Sequence, residues 1–158
     1  MKGQLHHKTP GWVPSGSRFH IRIRLASGTK SLLTDATVGR VVLDAAGLYH
    51  DAGKWCLYLM LLTPDHLHAV ASFPQEPGMS QTIGAWKGFL RKTTGVRWQA
   101  NYFDHRLRND DESIEKMHCI RMNPVRAGLV AEGTAWPWVL EPDPGACGVA
   151  RGQRQATG

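Results

Sequence analysis

The chain of 158 residues contains few cysteines, and it has no long apolar run. The three cysteines, Cys56, Cys119 and Cys147, form no CxxC pair and leave an odd number, so we expect neither a disulfide framework nor a structural zinc site. No segment approaches the roughly 20 apolar residues of a membrane span, and Met1 to Pro10 has no apolar core of signal-peptide length. We therefore expect a cytoplasmic protein in a reducing compartment, with no membrane contact.

Acidic residues are also in deficit. The chain has 13 Asp and Glu against 19 Lys and Arg, a formal net charge of +6 at pH 7. Such a balance favours a polyanionic partner without identifying one.

The length corresponds to one domain. We expect an irregular leader over residues 1–17, a folded domain over 18–140, and a disordered tail rich in Gly, Pro and Ala over 141–158.

Hydrophobic periodicity predicts an α+β fold. Apolar residues alternate from Phe19 to Leu25, and further strands are expected over Trp55 to Leu62, from His66 to Phe73, and within Trp98 to Arg108. Three helices are predicted from Thr34 or Asp35 to Asp51, from Ser80 to Thr93, and from a cap at Asp110, Asp111 or Ser113, with Leu48, Phe89 and Ile114 among their core-facing residues. This order matches a ferredoxin-like split βαβ antiparallel sheet with an added C-terminal helix.

Two histidines stand at the start of the third predicted strand. Because alternate residues of a strand share a face, His66 and His68 are expected to point the same way while Leu67 points into the core. The preceding Thr63-Pro64-Asp65 indicates a turn. This geometry suits a metal ion, and it equally suits two solvent-facing histidines on a half-buried strand.

Four motifs in order carry a resemblance to a known family. They are Pro64-Asp65-His66-Leu67-His68, the segment from Trp98 to Arg108, the segment from Ile120 to Val130 with its Asn123-Pro124 pair, and Trp136-Pro137-Trp138. Together they resemble the HUH single-tyrosine transposases, and within these the REP-associated tyrosine transposases. The likeness runs from about Pro10 to Trp138.

The resemblance implies a function and a set of site residues. It implies binding of structured single-stranded DNA, a hairpin or repeat end, and its cleavage and rejoining by metal-assisted transesterification. His66 and His68, with Asn123 as a third ligand, would hold Mg²⁺ or Mn²⁺, and the added C-terminal helix would carry the nucleophile. The family's tyrosine lies four residues before the asparagine, and that position is Cys119 here.

Cysteine at the nucleophile position changes the expected chemistry. A thiol at the same Cα is shorter than a phenol by a whole ring, and a phosphothioester suits oxygen-for-oxygen exchange poorly, so we expect strand transfer to be lost. Cys119 is otherwise expected to be a small buried residue. Tyr102 is the other tyrosine that could substitute. A non-catalytic repeat-binding protein is thus the alternative function, and an RNA-binding ferredoxin-like module, for which the RNP1 run is absent, is a further one.

A set of basic residues is expected to contact DNA phosphates. Lys and Arg supply most of the sequence-independent affinity for DNA, although basic strand and helix faces are also ordinary solvated surfaces. We expect the protein to bind DNA as a monomer or homodimer. The candidate contact residues are Arg22, Arg24, Lys87, Arg91, Lys92, Arg106, Arg108, Arg121 and Arg126.

Overall fold

The computed structural model describes residues 16–143. In chain order the elements are β1 (Arg18–Arg24), α1 (Ala36–Asp51), β2 (Cys56–Leu62), β3 (His66–Ser72), α2 (Met79–Thr94), β4 (Phe103–Leu107), α3 (Asp110–Arg121), α4 (Asn123–Arg126) and β5 (Val139–Leu140). No helix within this range is long and apolar enough to cross a membrane. The predicted leader and tail lie largely outside the described residues.

The strands form one antiparallel sheet in the order β4-β1-β3-β2-β5. β1 and β3 pair along their whole length, from Arg18 opposite Ser72 to Arg24 opposite His66. Because β3 lies between β1 and β2, the strand that carries the paired histidines is central in the sheet. The predicted α+β architecture is confirmed.

The two faces of the sheet are covered differently. One face packs against α1 and α2 in the main core, which includes Ile21, Ile23 and Trp86. The other face has a smaller core, in which Val70 of β3 packs with Ile120 of α3. His20, Arg22, His66 and His68 belong to this second face by strand alternation, and we call it the histidine face.

Side-chain caps set the starts of two helices. Asp35 caps α1, because its carboxylate accepts hydrogen bonds from the backbone N–H groups of Thr37 and Val38, both at 3.1 Å. Asn109, rather than the predicted Asp110, Asp111 or Ser113, caps α3 by accepting from the Glu112 N–H at 2.8 Å. The Glu112 carboxylate in turn accepts from the backbone N–H of Arg108 at 2.6 Å, so side chains satisfy the N–H groups of both Arg108 and Glu112.

Three predicted core residues are exposed instead. Leu48 is 64% exposed, Phe89 45% and Ile114 61%. In α3 the buried side chains are Ser113 and Ile120. Each helical residue turns by about 100°, so Ile114 points away from the stripe that Ser113 begins. The predicted burial was wrong because a single apolar residue next to a buried stripe does not indicate which side of the helix packs against the sheet.

The cysteine prediction also needs one correction. Cys56, which is fully buried on β2, is disulfide-bonded, whereas no disulfide was expected from the sequence. Among the described residues, Cys119 is a free cysteine.

Gly39 of α1 leaves room for Trp138, in the segment before β5, to pack against the helix. A Cβ at Gly39 would lie 2.6 Å from Cζ3 of Trp138 and 2.7 Å from the backbone oxygen of Leu33. The same segment is joined to β2, since Trp136 Nε1 donates to the Leu62 carbonyl at 2.8 Å and Leu62 N–H donates to the Trp138 carbonyl at 2.9 Å. Contacts from Trp136 and Trp138 thus fasten this segment to both β2 and α1.

Replacing Gly39 with alanine should therefore destabilise the protein. Glycine to alanine inside a helix ordinarily stabilises by about 1 kcal/mol, but overpacking here should cost about 1–3 kcal/mol. Gly47 in the same helix is the matched control, because its added Cβ would meet Leu140 at an ordinary 3.9 Å. Chemical denaturation of both variants checks this. A stabilised Gly39→Ala would show that Trp138 does not pack against α1.

Candidate nucleic-acid and metal site

The turn before β3 holds His66 firmly. Thr63 donates to the backbone oxygen of His66 from both its N–H and its hydroxyl, each at 2.8 Å. The His66 Nδ1 lies 2.8 Å from the Asp65 carboxylate and 2.9 Å from the Thr63 hydroxyl. The Asp65 carbonyl also accepts from the Leu25 N–H at 2.9 Å, which ties the turn to the end of β1. His66 therefore has a defined ring orientation.

His66 and His68 lie side by side on the histidine face, as their spacing predicted. Their ring centroids are 5.0 Å apart, and the rings meet edge to face at 81°. His68 is the more buried of the two, at 9% exposure, while His66 is half-buried. The pair thus combines an interior imidazole with one nearer to solvent.

A third histidine, which the sequence patterns did not single out, contacts this pair. His20 Nε2 lies 3.1 Å from His68 Nδ1, and the two rings stack with centroids 5.3 Å apart. In the β1–β3 register, Arg22 is opposite His68 and His20 is opposite Val70, so the contact is diagonal. His20 alternates with Arg22 and Arg24 along β1, and that is the signal that could have found it.

Burial keeps two members of this histidine cluster (His20, His66 and His68) uncharged at neutral pH. Desolvation, with smaller contributions from neighbouring charges beginning with His20, lowers the pKa of His68 to about 3. Desolvation, followed by the charge of Lys116, lowers the pKa of His20 to about 4. Neutral imidazole is the form of histidine that binds a metal ion.

The donor set of His66 and His68 fits a divalent cation. When Nδ1–H of His66 donates to the Asp65 carboxylate, its Nε2 keeps a lone pair, which is the carboxylate–histidine arrangement of metal sites. When Nδ1–H of His68 donates to His20, its Nε2 is likewise available. Within residues 16–143 no three His, Cys, Asp or Glu side chains converge as a metal site.

Cys119 lies in the last turn of α3 and is half-buried, rather than fully buried as its size suggested. Lys116, whose charge acts on His20, stands three residues earlier on the same side of the helix. Ile120, the residue after Cys119 in α3, packs with Val70 of β3 on the histidine face. Asn123 begins α4, directly after α3, and its carbonyl accepts from the Ala127 N–H at 2.8 Å.

Tyr102 is poorly suited to replace the missing tyrosine. Its hydroxyl is buried and its ring packs against the main core. Burial, followed by the charge of Asp104, raises the pKa of the phenol. A phenol that ionises less readily is a weaker source of the phenolate nucleophile.

The predicted DNA-contacting residues divide between the two sides of the sheet. Arg22 and Arg24 lie on the histidine face, half-buried. Arg91 and Lys92 are exposed on α2, which covers the opposite face. Arg106 pairs with Phe19 across the β1–β4 register, and so shares that opposite side. Arg108 and Arg126 are both exposed; Arg108 directly follows β4, and Arg126 is the last residue of α4.

Two further predicted contacts are engaged within the fold. The Lys87 ammonium donates to the backbone oxygen of Gln99 at 2.9 Å, and burial lowers its pKa. Arg121 donates twice to the Glu141 carboxylate, from Nε at 3.0 Å and from a terminal guanidinium nitrogen at 2.8 Å. Both side chains hold local structure, which reduces their availability for phosphate.

A ferredoxin-like sheet with paired histidines on a central strand, and a helix packed on the same face, is the arrangement that the HUH resemblance implies. In sequence the chain is similar to the REP-associated tyrosine transposase of Escherichia coli (strain K12), at 25% identity over 83 residues, 49% of this chain and 49% of that protein. The match thus spans about half the length of this curated relative.

The fold is similar to the solved structure of a REP-associated tyrosine transposase bound to a REP hairpin. The TM-score is 0.68 at 19% sequence identity, and the likeness covers 83% of this chain and 80% of that chain. No family model matches the chain. Sequence and fold together confirm the resemblance to the REP-associated tyrosine transposases.

Proposed function

We propose that the protein binds structured single-stranded DNA, a hairpin or repeat end, on the histidine face. The observation that carries this proposal is the position of Arg22 and Arg24, which extend along β1 beside His66 and His68 on the face opposite α1 and α2. Two guanidinium groups there can contact successive phosphates of a strand and fix its register. The structural neighbour is bound to a REP hairpin, which supports the same kind of partner.

His66 and His68, completed by Asn123 or by ligands from the DNA and water, would hold Mg²⁺ or Mn²⁺. Such an ion supplies positive charge that offsets the charge developing on a phosphoryl group during transesterification. His20 orients His68, and Asp65 orients His66, through the hydrogen bonds at 3.1 and 2.8 Å. These partners keep the two rings in position without a bound ion, which lowers the cost of assembling the site.

The proposed activity of the present chain is DNA binding without covalent strand transfer. The reach of the Cys119 thiol and the burial of the Tyr102 hydroxyl both support this version of the function over an active transposase. In the cytoplasm the protein would then occupy repeat ends rather than cut them.

Salt-dependent binding to a DNA hairpin tests the proposal. Arg22→Ala/Arg24→Ala should lower the affinity for hairpins of any sequence, and it should reduce the slope of log affinity against log salt by about 2. The matched control, Arg91→Ala/Lys92→Ala, removes the same charge from the opposite side of the sheet and should have the smaller effect. The measurement is fluorescence anisotropy over a series of salt concentrations.

Two outcomes would contradict this proposal. A larger loss with the α2 pair would move the DNA to the other side of the protein. Wild-type affinity that stays flat from low to moderate salt would exclude phosphate-dominated binding on any face.

A further inference from the structure

An open cleft lies beside the histidine cluster at the edge of the sheet. It measures about 200 Å³, which is below the roughly 300–1,000 Å³ of pockets that enclose drug-sized ligands. Its lining residues are Arg22, Arg24, Gln99, Asn101, Tyr102 and Phe103. Phe103, the first residue of β4, is 42% exposed in this cleft. A large apolar ring therefore faces water within a basic, polar surface.

Phe103 is held in place by neighbours on the histidine face. It pairs with Arg22 in the β1–β4 register, and the Arg22 guanidinium lies over the ring at 4.9 Å from its centroid. His20 meets the same ring edge to face, with centroids 5.5 Å apart. His20 thus contacts both the Phe103 ring and His68, so the cleft and the histidine pair form one continuous surface.

We propose that this cleft binds one unpaired nucleobase of the DNA, with Phe103 as its stacking platform. The inference rests on the proposed function and names the part of the DNA that this surface takes. A base can stack on an aromatic ring or on a guanidinium plane, and every base has such a face. The exposed residues Gln99 and Asn101 offer amide donors and acceptors to the base edge, while Arg24 supplies charge for the adjoining phosphate.

The test compares a blunt, fully paired DNA duplex with the same duplex carrying unpaired bases in a hairpin loop or in a short extension at either end. Phe103→Leu should bind at least one of the probes with unpaired bases roughly tenfold more weakly than wild type, because base–aromatic stacking is lost. Its affinity for the blunt duplex should change by less than about twofold, since phosphate contacts dominate there. Phe103→Trp, which keeps an aromatic face, should retain wild-type affinity for every probe.

Abasic nucleotides placed one at a time among the unpaired positions locate the bound base. One such position should weaken wild-type binding but should not weaken Phe103→Leu further, since the two changes remove the same interaction. Phe89→Leu is the matched control, as Phe89 is similarly exposed (45%) on the opposite side of the sheet. It should leave binding to every probe unchanged.

Each other result has a definite meaning. Equal losses by Phe103→Leu on the blunt duplex and on the probes with unpaired bases, or no loss on any of them, would overturn the nucleobase cleft while leaving hairpin binding intact. A wild-type protein that binds none of the DNA probes would overturn the proposed function itself.

Discussion

Cys119→Tyr should form a covalent protein–DNA adduct on a single-stranded hairpin substrate with Mn²⁺, whereas the wild type should form none. The phenol restores the reach that the thiol lacks and supplies an oxygen nucleophile for phosphoryl transfer. Loss of a nucleophile costs several orders of magnitude in rate in other enzymes that use covalent catalysis, so we expect adduct formation to rise roughly a hundredfold or more. Denaturing electrophoresis of end-labelled DNA measures it.

The local structure supports this gain. Cys119 is in the last turn of α3, a helix held at its start by the Asn109 cap and at its end by the Arg121–Glu141 ion pair. This helix packs on the histidine face, because Ile120, the residue after Cys119, packs with Val70 of β3. A tyrosine introduced there enters an existing, supported helix rather than a rebuilt loop.

Cys119→Phe is the matched control, because it adds the ring without the hydroxyl. It should form no adduct while binding DNA as Cys119→Tyr does. A wild-type adduct that peptide mass spectrometry maps to Cys119 would refute the proposed lack of strand transfer and would establish a thiol nucleophile. An adduct at Tyr102 would instead mean that the buried phenol becomes accessible when DNA binds.

The second large effect should come from the histidine pair. His66→Ala/His68→Ala should weaken Mn²⁺ or Co²⁺ binding by about two orders of magnitude or more. Loss of a residue that only orients a metal ligand already lowers metal affinity roughly 10–100-fold, and this variant removes two ligands. Wild-type thermal stability should rise with added metal, by about 2.7 kcal/mol at a metal concentration about 100 times Kd, since an ion that binds only the native state stabilises it by mass action. The double variant should lose this stabilisation. Calorimetric titration and thermal melts measure both quantities.

Two single variants sharpen this test. His118→Ala removes an exposed histidine of α3 and should leave metal affinity unchanged. His20→Leu removes the hydrogen bond to His68 Nδ1 and should lower the affinity about tenfold, which is the effect of an orienting partner. Equal metal affinity in wild type and in the His66/His68 double variant would remove the metal site.

Strand and helix positions were predictable because they depend on nearest neighbours along the chain. The alternation from Phe19 to Leu25 specified which side of β1 is apolar, and the spacing of His66 and His68 put both on one face. Exposure was less predictable. Phe89 and Ile114 are apolar residues beside buried stripes, and the position of the sheet against each helix decides which of them is covered.

The sequence by itself determined the order of the first seven elements, from β1 to α3, but not the short α4 and β5 that follow. It also determined the shared face of His66 and His68 and the presence of Cys119 where the resembling family has a tyrosine. Tertiary structure alone decided that His20 contacts His68, that Lys87 bonds the Gln99 carbonyl, and that Phe103 stands exposed beneath Arg22. The reason is register. His20 and His68 are 48 residues apart in the chain, and the β1–β3 register, which the buried face of each strand specifies, brings them together.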